Sequence, residues 1–199
     1  PRKQKSSKVP VIEKQKTPQI RIKYKKTDQS HIVLGVRAFD LYNKKNSILS
    51  VMGAVLGGGM SSRLFTLLRE ELGVAYYVRA GSDTYTDHGI FEISAGVTNT
   101  RATEVITEIL KECTLLTREF VPKEELDRVK EYMIGSMKLE LESSDAYASY
   151  YGSQEIMKKK IEKPEAVIAQ IRRVTPKQIQ LLAKEIFKND RLNLALIGP

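Results

Sequence analysis

The chain has 199 residues, 41% of them hydrophobic, and a formal net charge of +9. This supports one domain with a sizeable core, and no run approaches the ~18 consecutive apolar residues that a membrane-spanning helix needs. The excess charge sits in residues 1–26, which hold ten Lys/Arg and one acid, whereas the remainder carries 23 basic and 23 acidic side chains.

Residues 1–18 are rich in Lys, Pro, Ser and Thr without a period, and read as a basic linker. They show no apolar stretch of the secretory type, so the expected compartment is cytoplasmic. No aromatic residue precedes Tyr24 and no RNA- or DNA-reading motif follows, so no nucleic-acid partner is expected. Gln19 to Lys26 alternates and predicts an edge strand. After a turn at Thr27–Ser30, Ile32, Leu34, Val36 and Ala38 share one face of a second strand. Ile48, Leu49, Met52 and Val55 then recur at helical spacing. Gly57–Gly59 end that helix, read as a left-handed C-cap.

Ser61 or Ser62 is expected to cap the next helix with its hydroxyl. Leu64, Leu68 and Leu72 form that helix's stripe, with Phe65 beside them, and Gly73 stops it. Val74 to Gly81 and Ile90 to Val97 read as an antiparallel pair around the polar turn Ser82–Gly89. Thr100–Thr117 is an amphipathic helix that contains Cys113, the single cysteine, in its apolar stripe; this excludes an internal disulfide and predicts core packing. Pro122 opens a long helix at its first position, with Leu126, Val129, Met133 and Met137 as the stripe. Ser143–Asp145 starts another, whose Tyr147, Tyr150 and Tyr151 read as packing residues. Pro164 to Val174 makes a short helix. Thr175-Pro176-Lys177-Gln178 is a capping box that opens the last helix, and Leu192, Leu194 and Leu196 alternate in a final strand. The order predicts an α+β two-layer sandwich, a mostly antiparallel sheet with helices packed on one face.

The chemistry-bearing candidates are few. Gly57-Gly58-Gly59 lacks the G-K-[ST] ending of a phosphate-binding loop and follows a helix, so it reads as a tight turn that lets another backbone approach. His31 and His88 are the only histidines, and neither has the partners at i+3 or i+4 that a zinc pattern requires. No H-x-x-E-H, H-E-x-x-H or C-x-x-C occurs. Arg69 and Tyr76 stand seven residues apart across the Gly73 stop. A reversal there can bring a guanidinium and a phenol to one rim, two donors able to hold a carbonyl oxygen or its developing oxyanion. Spacing alone favours a surface arginine paired with Glu70 or a similar acidic neighbour, beside a half-buried tyrosine.

The run LGGGMSSRLFTLLREELGVAYYV, from Leu56 to Val78, resembles the second lobe of the insulinase/pitrilysin family of zinc metallopeptidases, which includes the mitochondrial processing peptidases. The two opening strands, the D-T-Y-T-D-H-G turn, the Pro122 helix with Glu125 and Leu126, and the closing L-N-L-A-L-I-G-P fit the same layout. The resemblance implies a clamshell enzyme whose first lobe carries H-x-x-E-H and zinc, with a glutamate activating the metal-bound water. It implies that this chain, residues 19–199, is the substrate-binding C-terminal lobe, with 1–18 as the inter-lobe linker. By the same likeness Arg69 and Tyr76 contact the peptide substrate near the scissile bond. The loop Gly57, Gly58, Gly59, Ser61 and Ser62 lines the chamber. No catalytic or metal-binding residue is expected in this chain, which alone should not hydrolyse peptides. Its partner is an N-terminal zinc-binding lobe, in the same polypeptide or a separate subunit. The alternative is an inactive scaffold subunit of the same fold, and whether the whole protein is an active enzyme stays open.

Overall fold

Alternation from Ser30 to Ala38 sets the frame: Ile32, Leu34 and Val36 are buried while the residues between them are more exposed. The computed structural model describes residue 9, residues 11–158 and residues 160–199. Most of the expected linker, 1–8 and 10, lies outside the described residues, as does Lys159. The strands are β1 (Gln19–Tyr24), β2 (Ser30–Ala38), β3 (Ala75–Thr84), β4 (Gly89–Val97) and β5 (Asn193–Gly198). Among the described residues they form one sheet in the order β1-β5-β2-β4-β3. β1 pairs parallel with β5, and every other pairing is antiparallel. β1 is an exposed edge, as its lysines predict.

The helices are α1 (Asn46–Gly57), α2 (Arg63–Phe65), α3 (Ala102–Arg118), α4 (Lys123–Glu140), α5 (Ser144–Met157), α6 (Pro164–Arg173) and α7 (Pro176–Ile186). α1, α2, α3 and α7 pack on one face of the sheet, and α4 and α6 pack on α1. Phe91, Ile93, Ala95 and Val97 of β4 join the β2 residues beneath Leu49, Met52, Val55 and Leu56 of α1. Ile109, Cys113 and Leu116 of α3 and Ile179, Leu182 and Ile186 of α7 complete the core. Each such aliphatic or aromatic side chain contributes about 1.5–3 kcal/mol on burial. α1 is apolar around most of its circumference and lies inside the molecule accordingly. The capping box at Thr175 forms in full, with Gln178 returning a bond to the Thr175 N–H at 2.8 Å.

Several local expectations give way to other geometry. Gly58 has φ −86°, so α1 does not end in a left-handed glycine. The glycines answer to packing instead: a Cβ on Gly57 would stand 2.5 Å from Ala80 N of β3. Ser62 occupies the N-cap of α2, but its hydroxyl makes no capping bond. Pro122 is the N-cap of α4 rather than its first helical residue, and Ile134 is buried in that helix where Met137 is not. α5 buries only Gln154 among its residues; its tyrosines pack chiefly on one another, Tyr147 stacked on Tyr151 and Tyr150 edge-on to it.

Candidate functional site

The Arg69–Tyr76 rim is built by three consecutive departures from regular structure. α2 lasts one turn and then widens into a π-helix over Thr66–Glu71. Leu72 N donates to Leu67 O at 3.0 Å, a bond to the fifth preceding residue. The wider turn keeps Leu64 and Leu68 buried while Arg69 stays exposed; single π-turns recur at functional sites. Gly73 then reverses the chain with φ +63°, the one positive-φ residue among those described, and Val74 N closes the reversal on Leu68 O at 2.9 Å. A β-bulge follows: Ala75 pairs with Val97 and Tyr77 with Gly96, leaving Tyr76 unpaired. Bulges of this kind re-aim a side chain at the edge of a sheet.

The arginine and the tyrosine meet there. Arg69 Nη1 donates to the Tyr76 backbone carbonyl at 2.9 Å, and its guanidinium lies 5.2 Å from the centre of the Phe65 ring. Tyr76 is 53% exposed. Its hydroxyl has no hydrogen-bond partner among the described residues. The rim therefore presents two donor groups to solvent, held at one end by a guanidinium–carbonyl bond and an aromatic face.

The Gly57–Ser62 loop is a separate, tightly closed unit. Ser62 is buried and donates to Gly59 O at 2.6 Å. Gly59 lies against Tyr132 of α4, where a Cβ would come within 3.1 Å of the ring. Gly57 is buried on β3, so the exposed members of the loop are Met60, at 76%, and Ser61. No hydrogen bond of Arg69 or Tyr76 reaches this loop. A groove of about 1050 Å³ runs elsewhere, between α1, α4 and α6, and shares only Gly58 with the candidate residues.

Two features are invisible to sequence spacing. Arg63, directly after Ser62, donates to both carboxylate oxygens of Glu125 at 2.7 and 2.9 Å and lies 3.6 Å from Glu112. These side chains are only 16–21% exposed and tie α2 to α3 and α4. The Glu125 bonds hold the Arg63 pKa above its ordinary value. Burial pushes the Glu112 carboxyl up, outweighing the opposing pull of Arg63. The second feature is His31, whose Nδ1 lies 3.1 Å from the Tyr77 hydroxyl on the sheet face away from the helices. Contacts between residues 46 and 62 positions apart leave no local pattern.

The described residues contain no group of three or more His, Cys, Asp or Glu side chains able to hold a metal ion, so they do not fit a zinc site. No described helix is long and apolar enough to cross a membrane. The chain is thus a helix-backed, mostly antiparallel α+β lobe with an exposed Arg69–Tyr76 rim. A family model described as the Peptidase M16 inactive domain matches residues 1–133, and the chain belongs to that family. It is 33% identical over 175 residues to an uncharacterized zinc protease of Bacillus subtilis, covering 88% of this chain and 42% of that protein. It is 29% identical to an uncharacterized zinc protease of Streptomyces coelicolor, covering 88% of this chain and 38% of that one. A protease from Helicobacter pylori shares the fold with a TM-score of 0.88 at 20% identity, over 98% of this chain and 48% of that chain. A peptidase M16 inactive domain from Pseudomonas fluorescens does so at 0.81 and 19%, over 92% of this chain and 44% of that one. The chain thus spans less than half the length of these relatives.

Proposed function

We propose that this chain is the substrate-binding, non-catalytic lobe of a zinc-dependent endopeptidase, acting with a zinc-bearing lobe in the remaining half. The observation that carries the reading is the Arg69–Tyr76 rim in a chain of the M16 inactive-domain family. Arg69 and Tyr76 orient the substrate, and their free N–H and O–H groups support the oxyanion that develops at the scissile carbonyl. Metal, base and water come from the partner lobe. Gly57, Gly58 and Gly59 let the loop close, and Ser61 stands at its exposed tip beside the substrate, with Ser62 buried behind it.

The test is kinetic. In the two-lobed protein, Arg69→Ala and Tyr76→Phe each lower kcat/KM for a peptide substrate by about tenfold or more, with zinc content unchanged. Wild-type turnover in both variants refutes the assignment.

A further inference from the structure

The sheet face turned away from the helices carries an uneven charge. Pairing register sets Arg21, Ala195, Val33, Ser94 and Arg79 in one row across the five strands. The neighbouring row runs from Lys23 through His31 to Tyr77. Four strand spacings separate the outer strands, so Arg21 and Arg79 flank a strip about 19 Å wide. Its floor is short side chains, Ala195, Val33 and Ser94. Tyr77 lies over Gly96, where any Cβ would collide with the ring, and meets His31 at 3.1 Å, so that end of the floor is flat and polar.

Arg21, Lys23 and Arg79 are exposed, and among the described residues none of them has an ion pair or a hydrogen bond. The other end of the same face is balanced. Arg37 meets Glu13 at 3.1 Å, Gln15 bonds to Asn193, and Glu92 and Asp83 stand in the register positions beyond. Lys14 and Lys16 beside Gln15 are exposed too, and with Arg37 they stand against Glu13, Glu92 and Asp83, so the net positive charge lies in the half nearer Tyr77.

We propose that this half of the open face holds an extended peptide segment bearing carboxylates, so that the lobe selects acidic stretches of its substrate. This rests on the substrate-binding reading above and deepens it. Alternate side chains of an extended peptide stand about 6.6–6.8 Å apart, the spacing of Arg21 and Lys23 along β1. The intervening side chains point away from the sheet into solvent, so they are left free to vary. A continuous phosphate backbone fits less well: beyond the strip stand Glu92 and Asp83, where a peptide can place an uncharged or basic residue but every nucleotide places another phosphate.

Fluorescein-labelled peptides of equal length, sharing a Val framework with Glu, Gln or Lys at alternate positions, test this by anisotropy with the full 199-residue chain. The Glu peptide is expected to bind about tenfold more tightly than the Lys peptide, as a few exposed ion pairs allow, and the ratio shrinks with added salt. Arg21→Gln with Arg79→Gln, both exposed, collapses the ratio below about threefold while leaving the melting temperature unchanged. Equal binding of all three peptides, or a ratio unmoved by the double variant, overturns the charge preference and leaves peptide binding standing. Binding of none overturns both. An oligothymidylate that displaces the Glu peptide at lower concentration than unlabelled peptide does overturns the proposal in favour of nucleic acid.

Discussion

Arg69 has five N–H donors in a planar fork, and one of them is committed to the Tyr76 carbonyl. A lysine at this position keeps the charge and loses the fork, so it cannot hold that carbonyl and a substrate oxygen in fixed directions at once. Arg63 is the complementary case, a guanidinium whose partners are all within the protein. Glu125→Gln weakens a bidentate charged pair and is expected to destabilise the fold by about 2 kcal/mol in urea unfolding. Glu112→Gln behaves differently. The folded carboxyl titrates above its unfolded value, so Glu112 favours the folded state below the unfolded pKa, and that contribution is lost as pH rises through the folded pKa. Glu112→Gln is therefore neutral or stabilising at pH 7, and its difference from wild type shrinks as pH falls through the titration of Glu112. Cys113 is buried and its thiol is pushed up to about 12. It should resist a disulfide reagent at pH 8 in the folded chain and react once guanidinium unfolds it. Its burial was readable from its place in an apolar stripe. The Arg63 clamp was not, because a salt bridge across 62 residues has no period.

At the scale of elements, the glycines divide by what holds them. Gly57 is fixed by β3: an added Cβ would meet backbone at Ala80 N, 2.5 Å away, and at Arg79 C, 2.9 Å away. Backbone cannot rotate aside, so Gly57→Ala is expected to cost about 1–3 kcal/mol. Gly73→Ala meets nothing within 4 Å, yet must hold φ +63° and is expected to cost about 1–2 kcal/mol. Gly81→Ala, with open space and no positive φ, is the control and should leave the unfolding midpoint in place. Equal midpoints for all three would contradict this account of the α1–β3 contact. The elements with a single dominant signal were legible: α3 and α7 from their stripes, α7 also from its capping box, β2 from its alternation. The π-helix was not, because Leu64 and Leu68 at i, i+4 suit an α-turn and a widened turn alike. Nor was the Tyr76 bulge, since a bulge is a property of the pairing with Val97 and Gly96 rather than of β3 alone.

For the whole molecule, the parallel pairing of β1 with β5 joins the first and last strands among the described residues, and the segment before β1 is fastened to the same edge by Gln15, which donates to Leu192 O at 3.1 Å. The α+β class and the mostly antiparallel sheet were legible from element order. The parallel strand was not, because strand pairing between the two ends of a chain has no local trace. The Arg69–Tyr76 rim was legible as a candidate only through the resemblance of its surrounding run; spacing supplied the possibility, and the Gly73 reversal supplies the proximity. Photocrosslinking decides whether this rim faces the substrate. In the two-lobed protein with its hydrolysis blocked, p-benzoylphenylalanine replaces Tyr76 in one sample and the exposed Tyr147 in another, and each is irradiated with a labelled peptide substrate. A substrate-facing rim yields a crosslinked peptide from position 76, competed away by unlabelled substrate, and none from position 147. No adduct at 76, or equal adducts at both, would contradict it.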